Sequence, residues 1–214
     1  MRNTTATNTT VFHSFYIKSM LLCAACFSFL MPPVQAQRVS LDKQVLIEMM
    51  ENRHEDPVEF YQHVSNTTNY ISMLVPVSVL ATGLARNDKT TIQKGLFITE
   101  SLVASSLVTF GLKYTFRRQR PFTTEPFIQP ASSGGSPSFP SGHTSEAFAT
   151  ATSLYMSYPK WYVAVPAFAW AGTVGYSRMY LGVHYPSDVL AGAVVGAGSA
   201  WLMHKANKWL FRKS

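Results

Sequence analysis

The sequence predicts an all-α protein, a helical bundle with five or six hydrophobic helices set in a membrane. Three observations predict it. Apolar runs alternate with short polar breaks: Ile71 to Ala85, Gly95 to Leu112, Glu146 to Tyr158, Trp161 to Tyr176 and Val189 to Met203. These runs are rich in Ala, Val, Leu and Phe and lack the every-second-residue alternation of a half-buried strand. The charges also sort by break. With an N-terminal hydrophobic segment counted first, Arg86, Lys89, Lys94, Lys160, Lys205, Lys208, Arg212 and Lys213 all fall on one side, the cytoplasmic side by the positive-inside rule.

The elements follow in order. Arg2 and Lys18 precede the apolar run Met20 to Met31, and Val34-Gln35-Ala36 has the small-residue pattern of a cleavage site. Residues 1–36 are therefore expected to be a signal peptide or an uncleaved first transmembrane helix. Both cysteines, Cys23 and Cys26, lie inside this segment, so a processed chain would have no thiol and no disulfide. Residues 37–69 mix acids with apolar residues, and Leu41, Val45, Leu46, Met49 and Met50 share one helical face. That pattern predicts an amphipathic helix lying on a membrane surface or packed on another helix.

Residues 70–214 are expected to form the bundle itself. Trp161, Trp201 and Trp209 stand near run ends, as an aromatic belt at a membrane interface would require. The competing reading is a soluble helical protein. Several runs reach no more than the roughly 17–20 residues needed to cross a bilayer, Glu100 interrupts one of them, and the run after Glu146 is full of Ser and Thr.

The net charge of +7 could point to nucleic acid. The cations instead gather in one loop and at the C-terminus rather than along one amphipathic face, so no nucleic-acid partner is expected. No dinucleotide fingerprint, Walker loop or HExxH string is present, and neither a cofactor nor a metal is expected.

Three strings carry the chemistry: Lys113 to Pro121, Pro140 to His143, and Ser177 to Asp188. They supply cations, two imidazoles and one carboxylate, the set that metal-free phosphoryl transfer needs. Fixed cations such as Lys113, Arg120 and Arg178 stabilise the charge that spreads over phosphoryl oxygens in the transition state. His184 and Asp188 are four apart, so on a helical turn the carboxylate can take the Nδ1 proton and leave Nε2 outward as a nucleophile. His143 follows Ser141 and Gly142, where a backbone can approach an anion at a helix start, and suits the general acid. Arg117 and Arg118 read as a solvated surface or a contact to acidic headgroups, and Tyr176, Tyr180 and Tyr185 as packing around the site. His13, His54, His63 and His204 fit none of the strings and read as surface or helix-end residues.

These strings resemble the signature of the type 2 phosphatidic acid phosphatase superfamily, which includes lipid phosphatases, bacterial acid phosphatases and vanadium haloperoxidases. Each signature position is filled: Lys113, Arg120 and Pro121; Pro140, Ser141, Gly142 and His143; Ser177, Arg178, His184 and Asp188. The resemblance implies a phosphohistidine on His184, oriented by Asp188, with His143 protonating the leaving group. Lys113, Arg120, Ser141, Gly142 and Arg178 would hold the phosphate.

The order of segments and strings also resembles the lipid-phosphatase branch, with residues 122–139 forming a flexible rim over the site. The expected partner is then a phosphorylated membrane lipid at the periplasmic face of a bacterial inner membrane. Lipid A phosphate and undecaprenyl diphosphate lead the candidates, with phosphatidylglycerol phosphate behind them. A soluble periplasmic acid phosphatase, a vanadate haloperoxidase and a non-enzymatic binder of anionic lipid are the rivals.

Overall fold

The computed structural model describes residues 40–211, so the expected signal segment lies outside the described residues. Helix α1 (Leu41–Glu51) starts where Ser40 accepts the Lys43 amide at 3.4 Å, and ends at Asn52, which returns its side-chain N–H to the Glu48 carbonyl. After a short break α2 (Asp56–Ala85) begins, with proline in its first turn. Residues 37–69 thus hold α1 and the first half of α2, which runs on without interruption through Ile71 to Ala85. Asn87, at φ 52°, turns the chain, and Asp88 caps α3 (Lys89–Phe116) by accepting from the Thr90 amide and the Thr91 hydroxyl. Then come the single turn α4 (Pro121–Thr124), α5 (Gly142–Ser157), α6 (Trp161–Tyr180) and α7 (Pro186–Phe211). Among the described residues there is no strand, as expected.

Helix α5 is the centre, in contact with α2, α3, α6 and α7. Its closest approach is to α7. A methyl group at Gly192 would sit 2.6 Å from the Ser141 carbonyl, and one at Gly196 would press on the Ser145 carbonyl, so only glycine lets these two backbones meet.

What lies inside this bundle is small or polar: Ala147, Ala151 and Ala171, with Ser101, Ser105, Thr109, Ser145 and Thr150. The hydroxyls bond across helices. Thr109 meets Ser145 at 2.7 Å, Thr150 donates to Ser72 at 3.0 Å, and the Trp170 indole donates to Thr67 at 3.0 Å. Large apolar side chains face outward instead: Tyr70, Met73, Leu74 and Val77 on α2, and Val103, Leu107, Val108 and Phe110 on α3. In water that arrangement would leave an apolar surface with nothing to cover it; in a bilayer it matches the solvent. Two stretches, Asp56–Ala85 and Lys89–Thr124, are long and apolar enough to cross a membrane.

The fold is therefore an integral membrane helical bundle, and the soluble reading loses its main argument. The Ser and Thr residues after Glu146 line helix contacts, and Glu100 accepts a hydrogen bond from Asn207 at 2.8 Å. The face predicted for α1 is only partly used. Leu46 is buried against Ile128 and Tyr185, while Leu41 is 79% exposed and Val45 lies open beside a groove along α6 and α7.

Candidate active site

The three strings converge at one end of the bundle, where α3 and α6 finish and α5 and α7 begin. Lys113 comes from the last turn of α3. Arg117 then takes a left-handed conformation, φ 48°, which ends the helix and turns the following residues inward. Arg120 is buried, and its Nε donates to the Ser136 carbonyl at 2.8 Å, one terminal nitrogen donating to the Val183 carbonyl at 3.0 Å. That same nitrogen stands 3.4 Å from Nε2 of His184. A guanidinium can only donate, so Nε2 is the acceptor and the His184 proton belongs on Nδ1.

Nδ1 faces Asp188 Oδ2 at 3.5 Å and the Ser138 hydroxyl at 3.4 Å. Asp188, in the first turn of α7, is fully buried and densely bonded. Oδ2 accepts from Ser138 at 2.5 Å and from the Tyr185 amide at 2.9 Å, while Oδ1 accepts from Arg118 at 2.7 Å. Burial first, and then the Arg120 and Arg178 charges, push the His184 imidazole down to about 3 against the opposing pull of Asp188. His184 is thus a neutral base at ordinary pH.

Ser141 caps α5, its own amide bonded to the Asp188 carbonyl at 2.9 Å and its hydroxyl accepting from Thr144 at 2.9 Å. Gly142 and His143 open the helix, where amide N–H groups have no intrahelical acceptor. His143 is half-buried, and the charges acting on it are those of Arg178, Arg120 and Lys113. Lys113 donates to the Pro137 carbonyl at 2.5 Å. Arg178, 2% exposed, donates to Ser65 and Ser132, and its Nε is buried with no partner among the described residues. Every residue predicted for the site is therefore at this end. A pocket of 280 Å³ opens there, lined by Arg117, Arg118, Arg120 and the Gly134–Pro137 turn. At Gly134 any side chain would collide with the Arg120 guanidinium, 2.5 Å from where its Cβ would be.

Two expectations need correction. Arg118 is no solvated surface residue: it bonds Asp188, Ser187 and Asp42 and lies 4.0 Å over the Tyr185 ring. Arg117 is exposed, as read. The rim at residues 122–139 is pinned rather than loose, by Ala131 to the Leu181 carbonyl, by Ser138 to the Arg118 carbonyl, and by Arg53 and Gln62 reaching the Gln129 and Ala131 carbonyls. Of the tyrosines, Tyr180 and Tyr185 are buried, while Tyr176 is 40% exposed and stacks on Tyr180.

Sequence reasoning missed Ser138 and Asp42. Ser138 lies two residues before the Pro-Ser-Gly-His string, a proximity that could have raised it; Asp42, far upstream, left no signal.

The site is a buried cluster of cations around a histidine–carboxylate pair, built at the ends of membrane helices, and its chemistry suits holding an anion. Residues 94–212 match the family model of the PAP2 superfamily, and the chain belongs to that superfamily. Among curated relatives it is 39% identical over 71 residues to the lipid A 4'-phosphatase of Bacteroides thetaiotaomicron, covering 33% of this chain and 32% of that protein. It is 32% identical over 132 residues to the undecaprenyl-diphosphatase of Sulfolobus acidocaldarius, covering 60% of each. The matches thus span from about a third to 60% of those relatives' lengths. Among solved structures, the transmembrane PAP2-type phosphatidylglycerolphosphate phosphatase of Bacillus subtilis superposes with a TM-score of 0.67 at 25% identity, covering 91% of this chain and 94% of that one.

Proposed function

We propose that the protein is a metal-independent membrane lipid phosphatase that works through a phosphohistidine. The observation that carries this reading is His184, buried and neutral, its Nδ1 toward Asp188 and its Nε2 beside Arg120. Nε2 attacks phosphorus and the bond from phosphorus to the lipid oxygen breaks. His143, whose protonated form is disfavoured by burial and by Arg178, Arg120 and Lys113 until the phosphate's negative charge offsets them, gives its proton to that oxygen. Water then attacks the phosphohistidine, His143 takes back a proton, and the P–N bond breaks to release inorganic phosphate.

Lys113, Arg120, Arg178 and the amides of the Ser141–Gly142 turn hold the phosphoryl oxygens; the unpartnered Nε of Arg178 is a donor of the right kind for one. The relatives named as lipid A phosphatase and undecaprenyl-diphosphatase support a lipid phosphate or diphosphate as substrate. Arg86, Lys89, Lys94, Lys160, Lys205 and Lys208 gather at the end of the bundle opposite the site. That distribution supports a site facing the periplasm from a bacterial inner membrane.

The test is phosphate release by membranes carrying the wild type or His184→Ala, with EDTA present. Lipid A, undecaprenyl diphosphate and a small soluble ester are offered side by side. Release from a lipid, lost in the variant, is expected. Preference for the soluble ester would favour a broad acid phosphatase, and no release from any substrate would favour an anionic-lipid binder.

A further inference from the structure

Helix α1 lies upstream of the stretch that matches the family, yet its first turn bonds Arg118, the residue that holds Asp188. Asp42 accepts from Arg118 at 2.5 Å through Oδ2, and the Ser187 hydroxyl reaches the same oxygen at 2.5 Å. Its Oδ1 accepts the Ser187 amide at 2.8 Å, so one carboxylate closes the N-terminus of α7 from outside and grips Arg118 at once. The other terminal nitrogen of Arg118 donates to Asp188 Oδ1 at 2.7 Å and to the Ser187 hydroxyl at 2.6 Å. Tyr185, beneath the guanidinium, is fixed in turn by Thr124 at 2.7 Å. Asp42 and Asp188 therefore share one cation, in a chain that runs Asp42, Arg118, Asp188, His184.

We infer that Asp42 is a positioning residue for the phosphoryl transfer proposed above, dividing the Arg118 charge so that Asp188 remains a strong partner for His184. The physical reason is competition. A guanidinium with a single carboxylate partner gives that carboxylate its full charge-assisted bond. Asp188 would then bind Arg118 more tightly and the Nδ1 proton of His184 less tightly, just as positive charge builds on the imidazole during attack. Asp42 draws part of the guanidinium away and fixes the edge that faces Asp188. It has no role in holding the phosphate, so its effect falls on turnover rather than on affinity.

The inference rests on the phosphatase reading, and the test separates the two. Wild type, Asp42→Asn, Asp42→Glu, Arg118→Lys, the Asp42→Asn/Arg118→Lys double variant, Lys43→Ala and His184→Ala are assayed per mole of folded protein on the lipid that the wild type turns over best. We expect Asp42→Asn to lower kcat about tenfold with KM within about twofold, and Asp42→Glu to recover part of the loss. The double variant should be little worse than Arg118→Lys alone, the mark of two residues acting through one contact. Lys43→Ala cuts the other tie of this turn, the 2.5 Å bond to Glu125, and should leave kcat near wild type.

Wild-type kcat in Asp42→Asn, a change in KM alone, or additive losses in the double variant would overturn the inference. So would an equal loss in Lys43→Ala, which would mean that α1 matters only by docking. If Asp42→Asn does not fold, Asp42→Glu must lower kcat at constant KM, and a wild-type kcat there overturns it. Activity retained by His184→Ala would sink the phosphatase reading itself.

Discussion

The bundle carries a cavity at each end, of similar size and opposite character. The one at the site, 280 Å³, leads to cations that are buried and held from several sides: Arg120 by Ser136 and Val183, Arg118 by two carboxylates and a ring, Arg178 by two serines. The one at the far end, 320 Å³, is lined by Lys94, Glu100, His204, Asn207 and Lys208. There Lys94 rests 4.3 Å over Tyr158, and Glu100 has one exposed bond to Asn207.

Both ends thus pair charge with aromatic rings and carboxylates, but only one takes the charge out of solvent. Removing a charge from water costs several kcal/mol even after relaxation. A fold keeps such a cost where a ligand or a reaction returns it, and leaves charges exposed where they serve only topology. Chemistry should therefore concentrate at the site end, and substitutions can measure how sharply.

The largest effect is expected from His184→Ala, which removes the proposed nucleophile and should reduce kcat by about four orders of magnitude or more. Initial-rate assays on purified protein would detect this directly. A residual rate within tenfold of wild type would erase the distinction between the two ends. Ser138→Ala comes next. It deletes a donor 2.5 Å from Asp188 Oδ2 and leaves the carboxylate buried with less support. A hydrogen bond to a charged group contributes about 1.5–3 kcal/mol, so kcat should fall about tenfold or more. Unchanged kcat would show that the Tyr185 amide and Arg118 suffice to hold Asp188.

The contrast between the ends also marks what the sequence could tell. Residues whose partners lie within the three strings were legible, because spacing alone puts His184 and Asp188 on one turn and Ser141 and Gly142 at a helix start. Arg118 was not. Its neighbours Arg117 and Arg120 make a basic run, and only the left-handed turn at Arg117 sorts them, one outward and two inward. Asp42 was not legible either, since its partners Arg118 and Ser187 lie far along the chain and nothing local fixes how α1 meets α7.

Hydropathy located the helices yet misjudged their ends and interiors. Helices α3 and α7 run past their apolar stretches because their last turns are polar where they carry charge to one end or the other. The serines and threonines that argued for a soluble protein are the helix contacts of a membrane one, where small residues rather than large apolar ones fill the interior.

A smaller effect is expected from pH. Burial, with Arg120 and Arg178 behind it, lowers the His184 pKa from 6.5 to about 3. The free base therefore persists as the solution is acidified, and kcat between pH 7 and about pH 5 should change by less than about threefold on account of this group. A loss of kcat on the alkaline side, absent when the assay is repeated with a His143 variant, would instead report the general acid. Stability moves the other way. Between the two values the unfolded chain takes up a proton that folded His184 excludes, so the fold loses stability as pH falls from 6.5 toward 3, a loss that thermal unfolding in detergent would follow.

The smallest effect belongs to the far end. Lys94 is linked to Tyr158 by one cation–π contact of 4.3 Å between two half-buried side chains, and such contacts contribute about 0.5–2 kcal/mol. Lys94→Ala should leave kcat and KM within about twofold of wild type, because nothing in the chain from Asp42 to His184 reaches it. What the substitution can change is orientation, since each loop cation contributes to which loops stay inside. A protease-accessibility assay of the loop between α3 and α5 in intact cells would separate the two outcomes. Normal orientation with halved turnover at most keeps the two ends independent, whereas a tenfold loss of turnover in correctly oriented protein would mean that the far cavity is coupled to the site through α3, the helix that carries Lys94 at one end and Lys113 at the other.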